Sequence, residues 1–113
     1  MLIMQTDYYV KACMKTWLLC ESCAYAETLC KAQRRELIEK CRACAKACFA
    51  LVSEIISGAE PLSDTAFTCL LSCRECYVEC EKYSNENDIE FCGEVCRLCG
   101  NMLKDLIVPF HLN

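Results

Sequence analysis

Fourteen of the 113 residues are cysteine, and most of them recur at intervals of three and four. That alternation restricts the chain more than any other feature. A helix advances about 100° per residue, so steps of three and four return a side chain to one face. A strand, with its period of two, would scatter the same positions over both faces. The stretches CRACAKAC (41–48), CLLSCRECYVEC (69–80) and CGEVCRLC (92–99) each hold their sulfurs within an arc of about 60°. Cys13, Cys20, Cys23 and Cys30 are spaced more loosely and cover about 100°.

The rest of the sequence agrees with helices. Three glycines and two prolines leave few breaks, and no short run alternates apolar and polar residues in the manner of a strand. Four helices are predicted. The first runs from about Thr6 to Ala32, capped by Thr6 or Asp7. The second runs from about Arg35 to Ser57 and is stopped by Gly58, a residue suited to the left-handed C-terminal position. The third runs from Ser63, its expected cap, to about Tyr83. The fourth runs from about Asp88 to Val108, with Asn87 and Glu90 as a capping box and Pro109 as its stop. Short loops make neighbours antiparallel, so the expected fold is all-α: one up-down-up-down four-helix bundle spanning residues 1–113. Leu37, Ala45, Val52 and Ile55 continue the second sulfur stripe, and Val95, Leu103 and Leu106 continue the fourth. The sulfur stripes are therefore the core stripes, and the thiols turn toward a common axis.

A formal net charge of −4 gives no basic footprint for nucleic acid. No run of 18 apolar residues is present, so no membrane span is predicted. The start, MLIMQTDYYVKAC, lacks the charged and apolar regions of a leader, which points to the cytosol. In that reducing compartment a high cysteine content implies metal rather than a disulfide framework. No Ser-His-Asp set or glycine-rich phosphate loop is present, and the single histidine is His111, so no enzyme is expected.

Several occupants of a sulfur-lined core can be compared. Thiols as simple core filler would pack more thinly than leucine. Seven disulfides would lock the core covalently and need specific Cβ geometry. Zinc sites usually place CxxC on turns, whereas these pairs sit inside helices, and four thiolates around Zn(II) leave two negative charges. Iron–sulfur clusters use different spacings, such as C-x2-C-x2-C-x3-C-P. Cu(I) is soft, and one ion replacing one thiol proton leaves the core charge unchanged. Sharing each sulfur between two such ions gives about one ion per cysteine, roughly 14 in all.

With CRACAKAC, CLLSCRECYVEC and CGEVCRLC on successive helices, the chain resembles the bacterial copper storage proteins, over nearly its whole length. The resemblance implies a bundle filled with Cu(I) on thiolates, a homo-oligomer that is usually a tetramer, and a copper donor or acceptor protein as partner. The candidate ligands are Cys13, Cys20, Cys23, Cys30, Cys41, Cys44, Cys48, Cys69, Cys73, Cys76, Cys80, Cys92, Cys96 and Cys99. Met102 and His111 are further candidates. They should lie with Met1, Met4 and Met14 at one end of the bundle, where soft ligands pass Cu(I) inward, although Met14 falls about 150° from the first sulfur arc and is expected to face out or into a subunit contact. The function expected is non-enzymatic storage or buffering of multiple Cu(I) ions. An iron–sulfur or thiol-disulfide redox protein, or a zinc-sequestering one, is the alternative.

Four other features carry expectations. Glu27 falls within the first sulfur arc, where a buried carboxylate needs a partner or a metal. Gly93 and Gly100 suggest a close helix approach. Met14, Trp17, Leu18, Leu19 and Tyr25 leave apolar surface beyond one core's needs, which favours oligomerisation. Glu21, Lys31, Arg34, Arg42, Lys46, Arg74, Glu75, Glu79 and Glu94 read as solvated faces.

Overall fold

The computed structural model describes residues 3–107, with side chains described from Asp7 onward. It contains four helices: α1 (Ile3–Thr28), α2 (Arg35–Ser57), α3 (Ser63–Glu81) and α4 (Asn87–Ile107). No strand occurs among the described residues. Each helix packs on its two neighbours in a ring, α1 on α2, α2 on α3, α3 on α4 and α4 on α1. The expected four-helix bundle is therefore the observed one, and no described helix is long and apolar enough to cross a membrane.

The boundaries of α2 match the sequence reading, and the reason is at Gly58. Its φ of 76° is left-handed, its N–H donates to the Ile55 carbonyl at 3.1 Å, and the Ala59 N–H reaches back to Glu54 at 2.9 Å. That pair of bonds closes the last turn. Elsewhere the caps differ from expectation. Ser63 is the first residue of α3, and Leu62 occupies the cap position without a side-chain bond. Thr6 and Asp7 lie inside α1, which begins at Ile3. α3 ends at Glu81 and α4 begins at Asn87. α1 ends at Thr28 instead of Ala32, because the chain tightens there: the Leu29 and Cys30 N–H groups bond Ala26 and Glu27, three residues back. Val108, Pro109, His111 and Met1 lie outside the described residues, as does the side chain of Met4.

The two ends of the bundle are closed differently. Where α1 turns into α2, Glu27 is buried. Its Oε2 accepts the Arg34 backbone N–H at 2.9 Å and pairs with the Arg34 Nε at 3.3 Å. The same guanidinium reaches Glu86, in the α3–α4 turn, at 2.8 Å and lies 4.4 Å from the Tyr83 ring centroid. One arginine thus ties both turns of that end together, and it is not the solvated cation that the sequence suggested. Glu27 has its partner in Arg34. Glu79 is also buried and is held by Lys82 at 3.0 Å, so it too departs from the expected solvated face. At the opposite end a layer of Leu51, Val52, Ala66, Leu103 and Ile107 is buried and closes the core with hydrocarbon.

Gly93 and Gly100 bring α4 onto α3. A Cβ added at Gly93 would sit 2.8 Å from the Cys80 Cβ, whereas one at Gly100 would sit 3.5 Å from the Cys73 Cβ. Gly93→Ala is expected to destabilise the reduced protein by about 1–3 kcal/mol through overpacking. Gly100→Ala should be neutral or stabilise by up to about 1 kcal/mol through helix propensity. Urea denaturation of the two variants checks the contrast.

Candidate metal centre

Between the two closures runs a column of sulfur. Cys13, Cys20, Cys41, Cys44, Cys48, Cys69, Cys73, Cys76, Cys80, Cys92, Cys96 and Cys99 are all buried, and all fourteen cysteines are free thiols. Across α2 and α3 the pairs step in opposite senses, as antiparallel helices require: Cys41 with Cys76 at 3.7 Å, Cys44 with Cys73 at 3.7 Å, and Cys48 with Cys69 at 3.5 Å. Cys20 on α1 lies 3.5 Å from Cys96 on α4. The diagonals also meet over the axis: Cys20 is 4.0 Å from Cys76, and Cys44 is 3.9 Å from Cys96.

Four groups have every sulfur within 4.8 Å of the others: Cys20–Cys44–Cys76–Cys96, Cys41–Cys76–Cys80–Cys92, Cys13–Cys48–Cys99 and Cys44–Cys48–Cys73. Soft metal–thiolate bonds of about 2.3 Å set sulfur–sulfur separations of about 3.8 Å in a tetrahedron, about 4.0 Å in a trigonal plane and about 4.6 Å across a linear ion. The observed spacings suit the first two directly and the third with small rotamer changes. Cys44, Cys48 and Cys76 each belong to two groups, so the groups are joined through common sulfurs.

Two cysteines stand apart. Cys23 is half-buried at the edge of the core. Cys30 is exposed, and its Sγ turns back to the Ala26 carbonyl at 3.5 Å. The expectation that every thiol faces inward fails at Cys30, because α1 ends two residues before it. Cys13, which has no near partner on its own helix, groups with Cys48 of α2 and Cys99 of α4. Met102 is buried beside Cys99 in the wall of one cavity. Met14 is 38% exposed and points away from the sulfurs.

The loose spacing of α1 also resolves. The steps of three and four continue through positions 13, 16, 20, 23, 27 and 30, with threonine and glutamate at two of the rungs. Thr16 is fully buried, with its hydroxyl donating to the Ala12 carbonyl at 2.8 Å. The spacing alone could have identified it, because it lies three residues after Cys13 and four before Cys20. Glu79 carried a similar signal, three residues after Cys76 and four before Tyr83.

The electrostatics are those of an acid cluster without a counter-cation. The buried polar side chains of the described residues are Thr16, Glu27 and Glu79, and none is a cation. Hydrogen bonds among the thiols divide the protons unevenly. Cys20 is held well above the ordinary thiol range by its bonds with Cys41, Cys44, Cys76 and Cys92, with burial adding to the effect. Cys48 is raised by Cys13, Cys44, Cys69 and Cys73 in the same way. Cys76 moves the other way, because Cys20 and Cys41 favour its thiolate. A site of this kind fills with positive charge by giving up protons.

A family model described as copper storage protein matches residues 3–107. No curated protein and no solved structure gives a match.

The raised thiols set a pH dependence. Cys20 and Cys48 keep their protons in the bundle at a pH where the unfolded chain has lost them. Their contribution to stability is therefore complete below about pH 8.5, the ordinary thiol value, and falls as the pH rises beyond it. The metal-free, reduced protein should lose up to about 1.4 kcal/mol per pH unit for each such thiol above that point. Anaerobic denaturation between pH 7 and 10 measures the slope, and unchanged stability across that range would contradict the assignment.

Proposed function

The chain belongs to the copper storage protein family, and from that membership and the sulfur geometry we propose that it stores several Cu(I) ions on the thiolates of its core. The observation that carries the reading is the sharing of Cys44, Cys48 and Cys76 between neighbouring groups. Isolated closed sites would each own their ligands. Shared sulfurs suit a run of ions bridged by thiolates, with each ion taking two sulfurs and each sulfur serving two ions.

Charge supports the monovalent ion. Each Cu(I) that replaces one thiol proton leaves the core as neutral as before, in a column where none of the described buried side chains is cationic. The protein's own residues then have three tasks. The four helices hold the sulfurs at bridging distance, the hydrocarbon layer and the Arg34 tie keep water from the two ends, and the thiols release protons as ions arrive. No group in the column is arranged to transform a substrate, so the reading is of a container. We place it in a reducing compartment such as the cytosol, where free thiols persist. We also take it to assemble with copies of itself and to exchange copper with a donor or acceptor protein. The exposed Leu18, Tyr25, Ile56 and Phe67 support the self-assembly.

Zinc is the second reading, favoured by the two four-sulfur groups, whose spacing also fits a tetrahedral ion. It predicts a few ions per chain with two protons or more released by each.

Anaerobic titration of the reduced protein with Cu(I) against a chelator separates the two. Storage predicts about thirteen ions per chain, one for each cysteine other than Cys30, with about one proton released per ion. Saturation at one or two ions would end the storage reading, and a brown protein would indicate an iron–sulfur cluster instead. Cys44→Ser with Cys73→Ser should lower capacity and keep the helical circular dichroism, whereas Cys30→Ser should leave capacity unchanged.

A further inference from the structure

The stored ions must enter and leave, and among the described residues both ends of the column carry side chains that stand in the way, with the half-buried Cys23 at the edge of the core toward the α1–α2 turn. Toward the α1–α2 turn stands the Glu27–Arg34–Glu86 tie. Toward the other end lie Leu51, Val52, Leu103 and Ile107, all buried, and a hydrocarbon layer of that kind resists an ion that must shed its ligands to cross it.

The flank between α1 and α4 is different. Of the four seams in the ring it is the loosest. Gly93 and Gly100 draw α4 toward α3, on the side away from α1. A cavity of about 170 Å³ opens in this seam, and its wall includes Thr16, Cys99, Met102, Lys15 and Leu98. Thr16 and Cys99 are buried residues of the core, so the cavity reaches the sulfur column from the side. It does so at the rung where α1 carries an oxygen in place of a sulfur.

We propose that this seam is a lateral port, through which Cu(I) carried by a small anionic thiolate complex reaches Cys99 and passes to the Cys13–Cys48–Cys99 group. The proposal rests on the storage reading above. The step is a ligand exchange without a change of oxidation state. The bond from copper to the carrier sulfur breaks, a bond from copper to the Cys99 Sγ forms, and the proton of Cys99 leaves with the carrier thiolate. Each feature of the port has a use in that exchange. Lys15, 5.9 Å from the Phe91 ring centroid at the rim, offers the positive charge that attracts an anionic carrier. The Met102 thioether supplies a soft surface beside the thiol. Thr16 places a hydroxyl, donated to the Ala12 carbonyl, between the α1 thiols Cys13 and Cys20, so the port opens on Cys99 with Cys13 as its α1 neighbour. Release runs by the same exchange in reverse.

Two measurements test the port. In the first, the reduced, metal-free protein is pulsed with a small neutral thiol reagent and mapped by peptide. Cys99 should react before Cys69 and Cys73, which sit at similar depth on the other walls, and before Cys96, which borders a groove between α3 and α4 with Arg74 and Arg97. Earlier or equal reaction of any of these three would overturn the proposal. In the second, Leu98→Trp narrows the mouth from an exposed position, with Leu71→Trp on α3 as the control. Stopped-flow loading from an anaerobic Cu(I)–glutathione mixture should slow about tenfold or more in Leu98→Trp, corresponding to about 1.4 kcal/mol of added barrier, with final capacity unchanged. Loading at the wild-type rate would overturn the port. Failure of the storage reading looks different, because the wild-type protein would then take up only one or two ions while the order of thiol labelling stood unaffected.

Discussion

The structure depends on keeping many sulfurs together, out of water, with no buried cation among the described residues to balance them. A thiol is a tolerable core residue while it is protonated and a costly one once ionised. The apo bundle meets that condition by leaving the thiols free and hydrogen-bonded to one another at 3.5–4.0 Å. It places its larger hydrocarbon side chains, such as Leu37, Leu51 and Leu103, mainly toward the ends of the column. Packing that would normally be spread along a bundle axis is concentrated there, and the glycines of α4 restore some of it by letting two helices approach closely.

The same condition orders the possible cargoes. Ions bound at full thiolate charge would leave uncompensated negative charge in a dry interior. Ions that exchange one for one with protons leave none. Distances alone do not make this choice, because the four-sulfur groups fit a tetrahedral divalent ion equally well. What favours the monovalent ion in the storage proposed above is the composition of the surrounding core, where the buried polar residues among those described are Thr16, Glu27 and Glu79 and the two carboxylates would only add to the negative charge.

Much of the fold was legible because one periodicity recurred in four segments. The pattern of α2, α3 and α4 placed Cys41 to Cys48, Cys69 to Cys80 and Cys92 to Cys99 on inward stripes, and Gly58 ended α2 where a left-handed residue was expected. What the sequence hid has two physical sources. Helix ends depend on local hydrogen bonding that a stripe cannot show, so α1 appeared long enough to turn Cys30 inward. Partners distant in sequence are also invisible to a pattern. Arg34 read as a surface charge because its partner Glu86 became apparent only in three dimensions, whereas Glu79 read as one although its spacing from Cys76 and Tyr83 carried the signal. Thr16 was legible in principle, but a search for sulfur passed over the rung that lacked it.

Common ownership of Cys44, Cys48 and Cys76 has a consequence for how occupancy can be distributed. A cation seated in one cluster has already stripped the proton from a ligand that the adjoining cluster needs, so the next arrival finds its work half done beside an existing guest. Partly filled molecules would therefore favour contiguous chains of ions over scattered singletons. Intermediate states would then be defined by how far such a chain extends along the axis, and withdrawal would begin at its exposed tip.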